Sequence, residues 1–332
     1  MKKYNVFITD FVEPPFGIEE KILGKNVNIN FIGKINDSEF LDSISEADAL
    51  MVGHAKITSK SLIKMKKCKV IVRYGVGFDG IDIQVAGHSG IPVCNIPDFC
   101  TDEVAERTMT MMLALTKKIN EYNSKVKEGV WDWKSVMPVF SLKNKNLGII
   151  GLGRIGSAVA LRAKSFGMNI YFYDPYKTKE YGKKFASEKI GNLGVLLNKS
   201  DIISVHAPLT DETNGMVNPE FISQIKKGAI LINTARGKII ENLDVLEKAL
   251  KEKLIDSIGL DVLPDEPPDY NHPLIKSWKN NEEWIRDRLV LSPHAAFYSE
   301  ESFFKLRKRA AEIVRKALNG KKLENVVNKK YL

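Results

Sequence analysis

The sequence predicts an α/β fold with parallel sheets, divided between two domains. Three observations predict it. Apolar strand-like runs alternate with helix-like runs along nearly the whole chain, the pattern of parallel sheets covered on both faces. A length of 332 residues suits roughly two domains. Residues 147–174, LGIIGLGRIGSAVALRAKSFGMNIYFYD, set a glycine-rich turn between a strand and a helix and end a second strand on an acid.

Taken in order, the first hundred residues hold strand-like runs at 5–9, 27–32, 49–52, 70–73 and 92–95. Polar-started helical pieces such as 38–45 and 59–67 lie between them, and together they read as an α/β unit of their own. Residues 101–128 contain no Gly or Pro and read as one long helix. Its apolar positions (Val104, Met109, Met112, Leu113, Leu115, Ile119) cover much of its girth. Asp102 and Glu103 suit its first turn, and Gly129 ends it. Such a helix is a candidate link between domains. The stretch WDWKSVMPVF (131–140) reads as a loop leading to the strand at 147–150. After residue 174 the strands fall near 202–205, 229–233, 257–260 and 289–291. Residues 264–288, with Pro264, Pro267, Pro268 and Pro273, form a long irregular connection, a length that is often functional. The last helix spans about 299–318, with Ser299 as N-cap and Glu300 and Glu301 in the first turn.

Composition sets further bounds. Hydrophobic residues make up 44% and charged residues 27%, the balance of a globular protein with ample core. The segment MKKYNVFITD lacks the apolar stretch of a secretory leader, and no apolar run approaches the ~20 residues of a membrane span. Cys68, Cys94 and Cys100 have neither metal-ligand nor disulfide spacing, so no metal site is expected and a cytoplasmic, reducing location fits. The net charge of +9 is concentrated at one end: residues 305–332 hold ten Lys/Arg against two acids. No aromatic interleaving or reading motif accompanies that basic run, so it reads as the solvated face of a helix rather than a nucleic-acid surface.

The glycine-rich turn carries the first chemistry. Gly151 permits the tight turn, Gly153 lets backbone approach a pyrophosphate, and Gly156 lets helix and sheet pack closely. Amides and the positive end of the helix dipole then face the phosphates of a dinucleotide. Asp174 suits hydrogen bonds from the adenosine ribose hydroxyls and repels a 2′-phosphate, which favours NAD over NADP. Lys177 and Lys179 lie close enough to soften that preference. This is the Rossmann, doubly wound arrangement.

Three more polar residues stand just beyond three strands: Arg236 after LINTA, Glu266 after GLDVLPD and His294 after VLSP. Ligands of open α/β sheets bind outside the carboxyl ends of strands, so the three are expected to converge near a bound nicotinamide. Histidine exchanges a proton near neutrality, a neighbouring carboxylate favours its charged form, and an arginine fork matches a carboxylate. A 2-oxo acid uses all three properties. Singly, each has an ordinary structural role to offer; together they point to carbonyl reduction.

The segments GLGRIG (151–156), YDPY (173–176), HAPLT (206–210), NTARG (233–237), GLDVLPDEPP (259–268) and SPHAA (292–296) resemble, in order, those of the D-isomer-specific 2-hydroxyacid dehydrogenases. The resemblance extends to RYGVGFDGID (73–82) and GIPVCNIPDFCTDEVAE (90–106). LRAKSFGMNIYFYDPY, HAAFYSEES and the ending NVVNKKYL are similar to the branch that includes bacterial dehydrogenases and the NADH-binding C-terminal-binding-protein corepressors.

The resemblance implies a Rossmann NAD-binding domain at 101–297 and a discontinuous, flavodoxin-like substrate domain from 1–100 and 298–332. It implies His294 as general acid/base, Glu266 as its partner and Arg236 as substrate anchor. Tyr74, Gly75, Val76 and Gly77 would meet the substrate carboxylate, with Phe297 also at the substrate. Arg154 and Ile155 would contact the pyrophosphate; Thr101, His206, Pro208, Thr234, Ala235 and Asp261 would line the rest of the cofactor site. It also implies a homodimer built through the nucleotide domains and a cleft that closes on the ligands; as a departure, a sequence ending about 14 residues after its last helix is expected to carry neither the regulatory domain of longer phosphoglycerate dehydrogenases nor the corepressors' long tail. Gly80 stands where the family more often has Asn, and Phe297 where the corepressors have Trp, so the resemblance leaves the substrate open. An NADH-sensing scaffold and a 3-phosphoglycerate dehydrogenase are the alternatives, the latter needing extra cations such as Arg73 or Lys56.

Overall fold

The computed structural model describes residues 3–33 and 37–332. Met1 and Lys2, the first residues of the segment MKKYNVFITD read above, lie outside them. The chain divides into two compact units, one of Met1–Cys100 with Tyr298–Leu332 and one of Thr101–Phe297.

The first unit carries five parallel strands: β1 (Tyr4–Ile8), β2 (Val27–Phe31), β3 (Ala49–Val52), β4 (Ile71–Arg73) and β5 (Val93–Cys94), in the order β2-β1-β3-β4-β5. That is the flavodoxin-like order. β3 is buried along its whole length, as a central parallel strand must be. Ile44, Leu50, Leu62, Met65 and Ile71 form the core on one side. The final helix, Glu300–Leu318, returns to this unit and packs on the helix Gly17–Leu23. Ser299 caps it, accepting from Ser302 N while Ser302 Oγ accepts from Ser299 N. Its basic residues have partners inside the unit: Arg307 pairs with Glu19, Arg309 with Asp98, and Lys305 donates to the Asp98 carbonyl. Part of the charge concentrated at this end of the sequence therefore serves to fasten the helix down.

The second unit carries seven parallel strands: β6 (Asn146–Ile150), β7 (Asn169–Tyr173), β8 (Glu188–Lys189), β9 (Ile202–Val205), β10 (Ala229–Asn233), β11 (Ile255–Leu260) and β12 (Leu289–Leu291). Their order, β12-β11-β10-β9-β6-β7-β8, reverses between β6 and β9, the switch point of a doubly wound sheet. One face is covered by the helices Thr101–Lys117 and Arg154–Ser165, with Met112, Leu115, Val159 and Ala163 against Ile149 and Phe172. The other is covered by shorter helices bearing Leu196, Phe221, Leu246 and Leu250.

Two expectations change. Residues 101–128 are not one helix: Lys118 adopts a left-handed conformation (φ 50°) and separates Thr101–Lys117 from Ile119–Lys127. The first helix buries eight residues and the second none, so packing ends the buried segment where local propensity alone would continue it. The connection 264–288 is not wholly irregular, because Pro273–Lys279 forms a helix with Pro273 in its first turn and His272 as cap. β8, a two-residue edge strand, is too short to show a periodicity in sequence. Among the described residues no helix is long and apolar enough to cross a membrane.

Candidate active site

The glycine-rich turn follows β6, between the loops that follow β7 and β9. Gly151 has φ 90°, and a Cβ there would meet Ala207 N at 2.7 Å. A Cβ on Gly156 would lie 2.2 Å from the Gly151 carbonyl oxygen, so this helix can start this close to the strand only with glycine. At Gly153, by contrast, a Cβ would meet no atom within 4 Å, and it heads the helix Arg154–Ser165 without a side-chain cap. The helix amides there face open space, as an anion site requires. Arg154 is exposed and Ile155 half-buried.

Asp174 stands at the end of β7 and is mostly buried. Its carboxylate accepts from Leu152 N (3.0 Å) and Tyr176 N (2.9 Å). It therefore ties the glycine-rich turn to the neighbouring strand, a structural role that sequence reading does not reveal. Beyond β9, His206 Nε2 lies 2.8 Å from Ser204 Oγ, while Nδ1 is buried without a partner among the described residues. Burial pushes its pKa down to about 3, so the ring is neutral. An orphaned buried nitrogen beside the Gly151 turn suits a polar ligand. Pro208 is exposed, and its carbonyl accepts from Thr213 Oγ1 at 2.6 Å. These features fit a dinucleotide.

The turn after β10 is built by Asn233, which is buried: Oδ1 accepts from Ala235 N (2.9 Å) and Nδ2 donates to the Arg236 carbonyl (2.9 Å). Thr234 Oγ1 lies 2.9 Å from Thr108 Oγ1. Thr108 donates its own proton to the Val104 carbonyl, so Thr234 is the donor. Thr101, half-buried, opens that same helix. Arg236 Nη1 donates to the Ala235 carbonyl at 2.7 Å. A Cβ on Gly237 would sit 1.8 Å from the Leu263 carbonyl oxygen, so glycine is what lets the Arg236 turn approach the loop of Glu266.

Glu266 Oε1 accepts from Leu263 N (3.0 Å), and Oε2 lies 2.7 Å from His294 Nδ1. Burial raises the Glu266 pKa, but the His294 hydrogen bond and charge, the Leu263 amide and the Arg236 charge outweigh it and hold the carboxyl below its usual range. An ionised carboxylate only accepts, so His294 Nδ1 carries the proton. Among the described residues nothing hydrogen-bonds Nε2. His294 itself has φ 52°, a strained conformation for a non-glycine residue. Its amide donates to the carbonyls of Asp261 (2.7 Å) and Ser292 (3.0 Å). Asp261, buried at the end of β11, accepts from Ser292 Oγ, Ala295 N and Ala296 N. Asp261 thus shapes the turn that presents His294. Asn233 and this use of Asp261 escape sequence reading; their signal was their place inside NTARG and GLDVLPD.

The second unit therefore brings Arg236, Glu266 and His294 together at the carboxyl ends of adjacent strands. Phe297, half-buried, is its last residue. Tyr74–Gly77 belong to the first unit and follow β4. The Tyr74 side chain is buried, its hydroxyl toward Glu19, which leaves only its backbone in the loop. Gly75 has φ 140°, and a Cβ there would strike the Arg73 guanidinium, which donates to the Tyr74 carbonyl. Asn95 Nδ2 holds the Val76 carbonyl at 2.6 Å. Among the described residues no acceptor meets the N–H groups of Val76 and Gly77.

Residues 109–296 match the D-isomer specific 2-hydroxyacid dehydrogenase, NAD binding domain. The chain is 39% identical over 309 residues to the D-3-phosphoglycerate dehydrogenase of Methanocaldococcus jannaschii, covering 93% of this chain and 57% of that protein. It is 39% identical over 299 residues to the glyoxylate reductase of Thermofilum pendens, covering 89% and 85%. The solved D-lactate dehydrogenase of Aquifex aeolicus, complexed with NAD and lactic acid, superposes with a TM-score of 0.83 at 31% identity, covering 95% of this chain and 96% of that one. With a doubly wound sheet, an open glycine-rich turn and a histidine–glutamate pair at the strand ends, the chain belongs to the D-isomer-specific 2-hydroxyacid dehydrogenase family, and residues 109–296 are its NAD-binding domain.

Proposed function

We propose that this protein is an NAD-dependent dehydrogenase that interconverts a 2-oxo acid and a D-2-hydroxy acid. The observation that carries the reading is the 2.7 Å contact between Glu266 and His294, with Nε2 of the imidazole left open. Bound there, NADH would supply the hydride chemistry that reduces a carbonyl. His294 Nε2 gives the proton to the carbonyl oxygen as negative charge develops there, and takes it back in the reverse direction. Glu266, kept ionised, orients the ring through Nδ1 and stabilises the imidazolium. Arg236 grips the substrate carboxylate with its fork of donors. Val76 and Gly77, in the first unit beside Tyr74 and Gly75, offer amides of the kind a substrate carboxylate takes, and Phe297 shapes the side-chain end.

On the cofactor side, the amides behind Gly153, with Arg154 and Ile155, serve the pyrophosphate, and Asp174 serves the ribose. Thr101, His206, Pro208, Thr234, Ala235 and Asp261 border the remainder. The protein acts as a homodimer. The helix Ile119–Lys127 and the segment after it support this, because Ile119 (57%), Trp131 (89%), Trp133 (67%) and Phe140 (55%) are exposed together along one stretch of chain. Three buried free cysteines support a reducing, cytoplasmic setting.

Relatives named for 3-phosphoglycerate and for glyoxylate stand at the same 39% identity, so likeness does not choose the substrate. The test is NADH oxidation at 340 nm with glyoxylate, pyruvate, hydroxypyruvate, phenylpyruvate, 4-methylthio-2-oxobutyrate and 3-phosphohydroxypyruvate, with NADPH in parallel. Efficient turnover of one acid supports the dehydrogenase and names its substrate class. Tight NADH binding without turnover of any acid overturns it in favour of an NADH-sensing scaffold of the corepressor kind.

A further inference from the structure

Resting on that NAD-dependent reading, we propose that Glu212 is a second selector of the cofactor, placed with Asp174 to exclude a 2′-phosphate from the adenosine ribose site. β6 lies between β7 and β9, so the loops after β7 and β9 flank the glycine-rich turn on either side. Asp174 opens the first loop and Glu212 lies in the second. One tyrosine joins them: Tyr176 N donates to Asp174 Oδ1 at 2.9 Å, and Tyr176 Oη donates to both carboxylate oxygens of Glu212 at 2.8 and 2.9 Å.

Tyr176 is 76% exposed, so packing does not set its direction; the bond to Glu212 does. The Glu212 loop is itself braced. Thr213 Oγ1 donates to the Pro208 carbonyl (2.6 Å) and accepts from Thr210 N (2.9 Å). The Glu212 carboxylate pushes the Tyr176 hydroxyl above its ordinary pKa, as an ionised acceptor does. The cation nearest in sequence is drawn elsewhere: Lys177 Nζ lies 4.6 Å above the Tyr181 ring. A 2′-phosphate carries about two negative charges at neutral pH. It would enter a rim where two loops present carboxylates and the adjacent lysine is held on an aromatic face.

The size of the effect follows from distance and screening. A tyrosine's length separates the two acids, roughly one Debye length at physiological salt, so Glu212 acts on a phosphate beside Asp174 through a screened Coulomb field. Neutralising it should change the relative affinity for the phosphorylated cofactor about threefold, and reversing its charge about tenfold.

The experiment uses the full chain with Glu212→Gln, Glu212→Lys and Tyr176→Phe, all surface changes that leave the core untouched. Dissociation constants for NADH and NADPH are measured by nucleotide fluorescence, and those for 5′-ADP and 2′,5′-ADP by calorimetry, at low and high salt. The expected result is a fall in the NADPH-to-NADH ratio of dissociation constants of about threefold for Glu212→Gln and about tenfold for Glu212→Lys, larger at low salt, with Tyr176→Phe in the same direction but smaller. The 2′,5′-ADP to 5′-ADP ratio should move in parallel. Ratios that stay unchanged in both Glu212 variants, while the native chain binds NADH, overturn the role of Glu212 alone. A native chain that binds neither dinucleotide overturns the NAD-dependent reading and this proposal with it.

Discussion

Two acid–base pairs, one in each unit, show how burial decides what such a pair does. In the first unit Glu19 is fully buried and accepts from Arg307 Nε (2.8 Å) and Nη2 (2.6 Å), with the Tyr74 hydroxyl 3.4 Å from Oε1. That pair ties the first helix to the last and so closes a unit made from the two ends of the chain. In the second unit the side chains of Glu266 and His294 are 36% and 30% exposed. Their contact is as short, but the imidazole keeps an open nitrogen. A carboxylate gripped by both arms of a guanidinium in the core holds structure; one that stops at a titratable ring near the surface leaves a proton to trade.

The largest effect expected is on the open pair. His294→Gln should lower kcat by about 10²- to 10⁴-fold, the usual contribution of a positioned acid/base. Its thermal midpoint should stay within a few degrees of the native protein, as calorimetry would show. Full turnover in that variant would dismiss His294 as the proton carrier. The same pair has a pH signature. The Glu266 pKa is depressed below 4.5, so the stabilising contribution of its charge is present above that value and is lost as pH falls through the depressed one. The acid limb of the rate profile set by Glu266 should therefore lie below pH 4.5.

The closed pair should behave in the opposite way. Glu19→Gln strands a mostly buried guanidinium and should cost about 3 kcal/mol in urea unfolding. NADH affinity, a property of the other unit, serves as the control. A smaller effect tests how the open pair is supplied with its arginine. Gly237→Ala forces a methyl against the Leu263 carbonyl, which must move, and with it the approach of Arg236 to the Glu266 loop. A loss of about tenfold to a hundredfold in kcat/KM is expected, since displacements near 1 Å carry penalties of that order. An unchanged kcat/KM would show that the close approach serves packing only.

A further test concerns His206. Its folded pKa is depressed from 6.5 to about 3, so the unfolded chain takes up a proton first as pH falls. Stability is lost across that interval, from pH 6.5 downward. His206→Asn should flatten the melting temperature between pH 6.5 and 4; an unaltered slope would assign the acid sensitivity to other groups.

Much of this was legible in the residues themselves. Strand runs rich in Val and Ile, the glycine spacing at 151–156 and the acid at 174 define the doubly wound sheet, because each reflects a local steric or hydrogen-bonding demand. Arg236, Glu266 and His294 could be picked out because each follows an apolar strand, and parallel strands deliver their carboxyl ends to one edge. Pro273 in a first turn was a legible sign of the short helix that the proline-rich reading of 264–288 passed over. What tertiary structure alone decided is of another kind. Lys118 breaks a helix that propensity would continue, because the burial that stabilises it stops there. Asp261 became the builder of the His294 turn only once β11 lay beside β12. Tyr176 met Glu212 across 36 residues of sequence. Local chemistry is written in consecutive residues, whereas the partner of a side chain depends on which strands become neighbours, a choice made by burial of the whole sheet.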